Sequence, residues 1–334
     1  MTQAGQDEHE TLETLFKNID LSFAKTALYS CFNTDGPGRP PRNPMGLFRT
    51  FIVMRMKGVR SLREMTRILD TDQGLRRLCL IKPDQRGYTR SFLSRFIRKI
   101  GENHLINIIE EKVVKLLKQN GSRDVDSVFD ASFIKAWSTR DSLDSLTGYS
   151  DKEARVGRTG RAFGLGYKLH LVIDSKTMLP LACTFASANQ NEQKHSLNIL
   201  EKTKLILKQS AAALKRVIAE RQYSDGKLRN DVEEAVIPYR SNQKRDVEGL
   251  LRVDKKFRTY GPDDQKEEYH KRPHIEAVYS FLKTQYSLTV NKVRGLGNVA
   301  SYALFSILCL VLNREAAQNR GRTDKAVSPT YFNT

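Results

Sequence analysis

Four polar residues near the C-terminus have types and spacing that could serve chemistry. They are Tyr269, Arg272, Glu276 and Lys283, in the stretch YHKRPHIEAVYSFLK at 269–283. If the stretch is helical, Arg272, Glu276 and Lys283 fall within about 40° of one another around the axis. The opposite side carries the apolar residues Ile275, Val278, Phe281 and Leu282. The polar face is either a solvated row of ion pairs or a carboxylate flanked by cations that could hold a phosphate.

Two further acids follow predicted buried strands. Asp130 comes after the apolar-rich run 127–129, and Glu220 comes after 216–219. Either acid alone could simply cap a neighbouring helix or end a sheet. Together with Glu276 they could instead converge, since three carboxylates can hold one or two hard cations through oxygen. Two such cations about 4 Å apart support phosphodiester chemistry.

The charge of the chain favours a polyanionic partner. Its 334 residues contain 56 Lys and Arg against 38 Asp and Glu, which gives a formal net charge of +18. Such a positive field attracts nucleic acid, although a basic surface can also serve solubility alone. The hydrophobic fraction of 39% and the charged fraction of 28% are those of a globular protein.

Several other classes of protein are disfavoured. The scattered cysteines form no C-x-x-C pair and indicate reduced thiols rather than zinc ligands or disulfides. They are Cys31, Cys79, Cys183 and Cys309. The polar, acidic N-terminus does not resemble a signal peptide. The apolar run at 300–313 is short for a membrane span and predicts a buried helix.

The composition changes along the chain and predicts four segments. Residues 1–40 form an N-terminal segment and linker, and the Pro- and Gly-rich stretch 34–44 must be extended or turned. Residues 41–121 form a helical DNA-binding domain. Residues 122–318 form a second domain of alternating strands and helices, and 319–334 form a basic, polar tail.

The predicted DNA-binding domain at 41–121 has apolar residues at helical spacing, with Arg and Lys between them. Helices are predicted at 45–58, 61–70, 74–81, 91–101 and 103–121, with Ser61 and Thr89 as helix starts and Gly58, Gly101 and Gly121 as stops. Short basic helices joined by tight turns suit a helix-turn-helix reader of DNA. The proposed recognition helix is 88–99, with Arg90, Ser91, Ser94 and Arg95 toward the groove and Phe92, Leu93 and Phe96 inward. The alternative is a plain helical bundle with a basic surface.

The second domain begins with a strand at 126–137. Strands at 166–174 and 178–188 form a predicted hairpin, and further strands lie at 214–220 and 236–240. Helices are predicted at 191–209 and 226–235. This order predicts an α/β fold.

The spacing Tyr269-x2-Arg272-x3-Glu276-x6-Lys283 resembles the Y-x2-R-x3-E-x6-K signature of bacterial and archaeal insertion-sequence transposases. These enzymes belong to the DDE class, in the insertion-sequence four/five-like group. Other stretches resemble the same family. They are VFDASFIKA (128–136) for the first-aspartate strand, GRAFGLGYKLHLVID (160–174) for the stretch that follows, RVIAERQYSDGKLR (216–229) for the second-acid region, and 39–69 for the helical N-terminal domain. The resemblance covers about residues 38–315.

The resemblance implies a ribonuclease H-like catalytic domain, with a mixed central sheet flanked by helices, preceded by an all-helical DNA-binding domain. It implies that Asp130, Glu220 and Glu276 are catalytic and bind Mg²⁺ or Mn²⁺, as two ions. The reaction would be hydrolysis at the ends of the element, followed by strand transfer into target DNA. The protein would act as a homodimer on DNA, in the cytoplasm of a prokaryote and associated with the nucleoid, and not at a membrane.

The resemblance also implies DNA contacts. Tyr269, Arg272 and Lys283 would bind phosphates beside the carboxylates. On the strand at 166–174, Lys168 is a further candidate for DNA contact, with simple surface exposure of Lys168 and His170 as the alternative. Trp137 is expected to be packed, although it could stack on a base.

The sequence departs from the family pattern at one acid. Glu220 stands where the family has its second aspartate, and Arg221 and Gln222 precede Tyr223 where the family has Gly. The extra methylene moves the carboxylate oxygens by roughly 1 Å, and such a misplacement can lower a rate about 100-fold. Three hypotheses therefore stay open: an active transposase, a catalytically weakened or dead DNA-binding copy, and a metal-dependent nuclease that cuts without joining.

Overall fold

The protein is described by a computed structural model at residues 3–32, 42–121, 123–140, 148–160, 162–289 and 292–327. The chain divides into two compact units. One contains Met1–Lys112, Ala136–Glu153 and Phe281–Thr334, and the other contains Val113–Lys135 and Ala154–Ser280. The predicted domain boundaries stay predictions. Residues 34–41 of the predicted linker and 328–334 of the predicted tail lie outside the described residues.

The described part of the chain before residue 120 is helical. Its helices are α1 Gln3–Lys17, α2 Ala24–Ser30, α3 Pro44–Met56, α4 Leu62–Thr71, α5 Gln73–Leu78 and α6 Arg90–Gln119. These elements match the five predicted helices between 45 and 121. The predicted break at Gly101 is present as a kink within α6, because Gly101 has φ 62° and ψ 178°. A residue without Cβ adopts this backbone conformation at little cost.

Local side-chain caps start two of these helices, and the cap at Ser61 lies where the sequence predicts it. The Asn43 side chain accepts hydrogen bonds from the backbone N–H groups of Met45 at 3.0 Å and Gly46 at 3.3 Å. The Ser61 hydroxyl accepts one from the N–H of Glu64 at 3.2 Å, and the Glu64 carboxylate accepts one from the N–H of Arg60 at 3.0 Å. Such reciprocal bonds satisfy N–H groups that a helix start otherwise leaves without partners.

The long apolar helix near the C-terminus, α11 (Leu296–Asn319), is a core helix of the first unit. Phe305 packs between Phe48 and Phe51 of α3, with ring centroids 5.4 Å and 5.1 Å apart. In the described residues α11 is the one helix long and apolar enough to cross a membrane, and 83% of its most apolar stretch is buried inside the protein. Burial against other helices accounts for the apolar residues all around this helix.

The second unit is built on a mixed sheet. Its strands are β1 Asp124–Lys135, β2 Arg155–Thr159, β3 Ala162–Asp174, β4 Pro180–Ser187, β5 Ala213–Ala219 and β6 Glu234–Val236. β3 pairs antiparallel with β1, β2 and β4, whereas β1 pairs parallel with β5, and β5 pairs parallel with β6. The mixed sheet and the predicted hairpin of β3 and β4 are confirmed.

The helices of this unit begin with α7 (Gln193–Gln209), which packs on β4, β3 and β5. They continue with α8 (Gly226–Asn230) and α9 (Asp263–Tyr269). The next helix, α10, runs from Pro273 to Thr284 and continues past the end of the unit. A separate two-stranded hairpin is formed by β7 (Arg252–Val253) and β8 (Thr259–Tyr260).

Three predicted elements differ from the structure. The helix predicted at 226–235 ends at Asn230, because the chain turns there and joins the sheet as β6 at Glu234–Val236. The strand predicted at 236–240 is therefore displaced toward the N-terminus. The stretch 269–283 is not one helix. Tyr269 ends α9, and Arg272 lies in the turn before α10, since Pro273 has no N–H to continue a helix from the preceding residues.

Candidate active site

Two neighbouring parallel strands bring the first two acids to the same level of the sheet. Phe129 of β1 is paired with Ala219 of β5, so the next residue on each strand is one of the predicted acids. Asp130 lies within β1, and Glu220 follows the last residue of β5. Parallel pairing thus places together two side chains that are far apart in sequence.

The third acid lies on a helix of the same unit. Glu276 is in the first turn of α10, and the turn before this helix carries Arg272. One guanidinium nitrogen of Arg272, Nη1, is 2.8 Å from Glu276 Oε1. The other, Nη2, donates a short hydrogen bond to Glu220 Oε1 and lies 3.9 Å from Asp130 Oδ2. One cation therefore contacts all three predicted carboxylates.

The arrangement concentrates negative charge at a largely buried position. Burial and the nearby carboxylate of Glu220 raise the pKa of Asp130 to about 7, although the guanidinium of Arg272 acts in the opposite direction. Burial by itself would lower the pKa of Arg272, but the carboxylates of Glu220 and Asp130 outweigh it and raise that pKa. A carboxyl group that is difficult to ionise beside two other acids is typical of a site that takes up a cation.

The predicted tyrosine is part of the same environment. Burial raises the pKa of Tyr269 to about 12, with Arg272 opposing and Glu220 and Asp130 reinforcing the change. Tyr269 therefore stays a neutral hydroxyl and can donate a hydrogen bond at physiological pH.

A second tyrosine, which sequence reasoning missed, connects the helix of the third acid to the strand of the first acid. The hydroxyl of Tyr279 donates hydrogen bonds to the carbonyl oxygens of Asp130 at 2.8 Å and Leu169 at 3.0 Å. Tyr279 lies three residues after Glu276 on α10, so it anchors the helix of the third acid to the strand of the first. Its sequence signal is a phenol on the apolar face of a helix, since a buried Tyr hydroxyl needs a partner.

A group of charged residues fixes α9, the helix that leads to Arg272. Arg216 of β5 lies 3.0 Å from Asp126 of β1 and 2.8 Å from Glu268 of α9. Lys271 lies 3.1 Å from Asp126 and 2.6 Å from Glu268. Largely desolvated ion pairs of this kind fix geometry, since breaking one leaves a poorly solvated charge. Sequence reasoning did not find this group, because its members come from three separate elements.

The expectation that Lys168 and His170 are exposed is wrong. Lys168 is 9% exposed, and its ammonium lies 2.6 Å from the Glu192 carboxylate and 2.9 Å from the Gln190 carbonyl. His170 is fully buried, and its Nδ1 lies 3.1 Å from the hydroxyl of Tyr223. Both faces of β3 are covered here, so the alternating pattern does not mark an exposed face. Lys168 is accordingly no part of the DNA surface proposed below.

Two other predicted residues lie elsewhere in the structure. Lys283 is in the last turn of α10 and is half-buried. Trp137, expected to be packed, is half exposed, and the Lys292 ammonium lies 5.4 Å from its ring centroid.

In the other unit, the predicted recognition helix forms the first part of α6. Arg90 and Arg95 are exposed and Ser94 is half-buried, whereas Leu93 and Phe96 are buried. Residues of this helix line an open groove of about 850 Å³, together with Thr89. The polar and apolar faces are therefore divided as the sequence predicts, although Phe92 is only half-buried. DNA contact by these residues stays a prediction.

The donor set at the three acids fits a hard cation in chemistry. All three are carboxylates, and oxygen ligands of this kind suit Mg²⁺ or Mn²⁺. In the part of the chain that the structure describes, no three acidic, histidine or cysteine side chains lie close enough to hold one ion. The positive charge among the acids is instead that of Arg272. The residues therefore fit such an ion if the guanidinium gives way to it.

Comparisons with known proteins give matches to two family models. Residues 121–312 match the family model described as "Transposase DDE domain", and residues 2–99 match the one described as "Transposase domain (DUF772)". No curated protein gives a significant match. A similar solved structure is the "Cryo-EM structure of piggyBac transposase synaptic complex with hairpin DNA (SNHP)", with 10% identity, a TM-score of 0.47, and coverage of 97% of this chain and 77% of that chain. The first match contains all three carboxylates and Arg272.

Proposed function

Because the chain belongs to the Transposase DDE domain family, we propose that it is the transposase of an insertion sequence, which cuts DNA at the ends of the element and joins them to target DNA. Transposases act on DNA, and members of this family generally use divalent metal ions. The signature Tyr269, Arg272, Glu276 and Lys283 supports membership of the insertion-sequence four/five-like group.

One observation carries this proposal. The guanidinium of Arg272 contacts Asp130, Glu220 and Glu276, which come from two strands and a helix. A surface ion-pair row on one helix would not collect acids from separate strands. Convergence of this kind favours a site that concentrates carboxylates for a cationic or phosphate-bearing ligand.

In this mechanism Asp130, Glu220 and Glu276 would hold one or two divalent cations, which activate an attacking oxygen and stabilise the leaving one when bound. Water attacks the phosphorus at the end of the element, the bond from phosphorus to the 3′ oxygen breaks, and that oxygen leaves as a 3′-OH. The 3′-OH then attacks a target phosphodiester, and a target 3′ oxygen leaves.

The other signature residues bind the DNA backbone. Arg272, once it leaves the carboxylates, presents a planar fork of donors that matches two oxygens of a phosphate. Tyr269 donates a hydrogen bond from its neutral hydroxyl, and Lys283 supplies a point charge. The groove along Arg90, Ser94 and Arg95 binds DNA separately, as a helix-turn-helix surface.

Several finer features belong to the same proposal. A sheet with β4, β3 and β1 antiparallel, followed by parallel β5 and β6, supports a ribonuclease H-like core. The helices before residue 120 support an all-helical DNA-binding domain. Two paired element ends require at least two active sites, so we propose a homodimer on DNA. The place of action is the prokaryotic cytoplasm, at the nucleoid.

The alternative is a catalytically weakened copy, and it depends on Glu220. The longer side chain could misplace the carboxylate by roughly 1 Å. However, the Glu220 oxygen reaches the same guanidinium as the oxygens of the other two acids. This contact favours Glu220 as a working member of the site.

The test uses supercoiled plasmid DNA carrying the element ends, with Mn²⁺ and purified full-length protein. We expect the wild type to nick and join the plasmid, and Glu276→Gln to lose both activities while retaining DNA binding. Activity that survives in Glu276→Gln would refute the site of three acids. Activity only after Glu220→Asp would identify a weakened copy, and cutting without joining would identify a nuclease.

A further inference from the structure

The hairpin of β7 and β8 carries a compact group of basic and aromatic side chains at its tip. Lys255, Lys256, Phe257 and Arg258 are exposed, and Tyr260 is 46% exposed. Within the described part of the protein, neither lysine has an ion-pair partner. Cations interleaved with exposed aromatic rings are the usual composition of a surface that binds single-stranded nucleic acid, since rings stack on bases and cations meet phosphates.

The tip is preorganised by one carboxylate. Asp254 accepts hydrogen bonds from the backbone N–H groups of Lys256 at 2.7 Å and Arg258 at 2.9 Å. Its other oxygen accepts from Arg258 Nε at 3.0 Å and from the Tyr260 hydroxyl at 3.2 Å. The hydrogen bond from the backbone N–H of Arg258 lowers the pKa of Asp254, so the tip keeps this charge and its fixed shape at physiological pH.

Phe257 is held outward in an unfavourable backbone conformation. Its side chain is 83% exposed, and its φ of 61° lies in the left-handed region that glycine adopts more easily. A turn that only connects two strands would be more stable with glycine here, and a large apolar ring gains nothing from water. Strain of this kind, held in place by the Asp254 hydrogen bonds, is typical of a residue that contacts a ligand.

The base of the hairpin is connected to the active-site loop. Arg252 of β7 donates hydrogen bonds to the carbonyl oxygens of Arg240 at 3.1 Å and Gln243 at 3.0 Å. Arg240 in turn donates to the carbonyl oxygens of Arg221 at 3.1 Å and Gln222 at 2.9 Å. Arg221 and Gln222 directly follow Glu220, so hydrogen bonds connect the hairpin to the loop of the second carboxylate.

We propose that Phe257 stacks on an unpaired base of a DNA strand while Lys255 and Lys256 bind the adjacent phosphates. The inference rests on the proposed function in naming DNA as the nucleic acid. The positive charge of the tip favours DNA over a second copy of this basic chain, because two such tips would repel each other. The hairpin thereby selects DNA with single-stranded character over a closed duplex.

The test measures binding by fluorescence anisotropy in EDTA, so that no DNA is cut. The two probes are a DNA duplex with a short single-stranded 3′ extension of thymines and the same duplex fully paired. We expect the wild type to prefer the extended probe, and Phe257→Ala to weaken its binding about tenfold or more, as the removal of one stacking ring does. The paired probe should change less than about twofold, since it offers no free base.

Matched variants separate the contributions. Phe257→Tyr keeps a ring and should retain the preference, whereas Phe257→Leu keeps apolar bulk and should lose it. Phe163→Ala removes another phenylalanine of the same unit, 77% exposed, and should have no effect. Replacing Lys255 and Lys256 with Gln should make binding less sensitive to salt. The slope of the logarithm of the affinity against the logarithm of the salt concentration should become shallower by about 0.7 for each phosphate that the protein no longer neutralises.

An unchanged preference in Phe257→Ala would overturn the inference. If that variant instead dissociates a dimer in sedimentation runs without DNA, the tip is a protein interface and the inference is again wrong. Plasmid nicking that depends on Glu276 would in both cases leave the proposed function intact. A wild type that binds neither probe would refute the proposed function and the inference together.

Discussion

Replacing Asp130 with asparagine should stabilise the metal-free protein while it abolishes catalysis. The side chain of Asp130 is 14% exposed, and burial together with Glu220 raises its pKa to about 7 from an ordinary 3.8. Asparagine has nearly the same shape and no charge. The substitution therefore removes an unfavourable buried charge without leaving a cavity.

The sign of the pH dependence follows from this pKa. Between pH 4 and pH 7, approximately, native Asp130 binds a proton that the unfolded chain does not. The wild type therefore loses stability as the pH rises through this window, and the loss is complete above it. The separation of about three pH units corresponds to at most about 4 kcal/mol. Because the pKa of about 7 already includes the attraction to Arg272, we expect a net gain of about 2–4 kcal/mol at pH 8.

Thermal unfolding in EDTA at pH 5 and pH 8 measures this effect. We expect the melting temperature of Asp130→Asn to exceed that of the wild type by about 3–6 °C at pH 8 and by much less at pH 5. Asp126→Asn is the control on the same strand. Asp126 pairs with Arg216 and Lys271, so its neutralisation should lower the melting temperature instead. A variant at Asp130 that is less stable than the wild type at pH 8 would refute the reasoning.

The remaining predictions concern other positions. Tyr279→Phe removes the hydroxyl that donates to the carbonyl oxygens of Asp130 and Leu169. Urea unfolding should show that the free energy of unfolding falls by about 1–3 kcal/mol, and plasmid nicking should slow by up to about 100-fold. Nicking at the wild-type rate would contradict this prediction. Lys168→Gln leaves the largely buried carboxylate of Glu192 without its cation and should cost about 3 kcal/mol in the same unfolding assay, with DNA affinity unchanged. Weaker DNA binding by the folded variant would restore Lys168 as a DNA-binding residue. Phe257→Gly relieves a left-handed backbone and should stabilise the protein by about 1 kcal/mol, and a lower melting temperature would show that the turn is not strained.

The local elements could be predicted because their causes lie within a few residues. The cap at Ser61 and Glu64, the break at Gly101 and the hairpin of β3 and β4 each depend on neighbours along the chain. The helix predicted at 226–235 was partly wrong for the complementary reason. Its last residues pair with β5, and sheet pairing overrides a weak local preference for helix.

By itself, the sequence determined the candidate acids, the basic charge, the signature spacing and most helices and strands, since these follow from residue types and short-range periodicity. Only the tertiary structure decided that Lys168 is buried against Glu192, because an alternating strand does not reveal whether both of its faces are covered. Likewise, only the tertiary structure placed one guanidinium among three carboxylates. Arg272 is 52 residues from Glu220 along the chain, and the packing of a helix beside two parallel strands sets the distance between them.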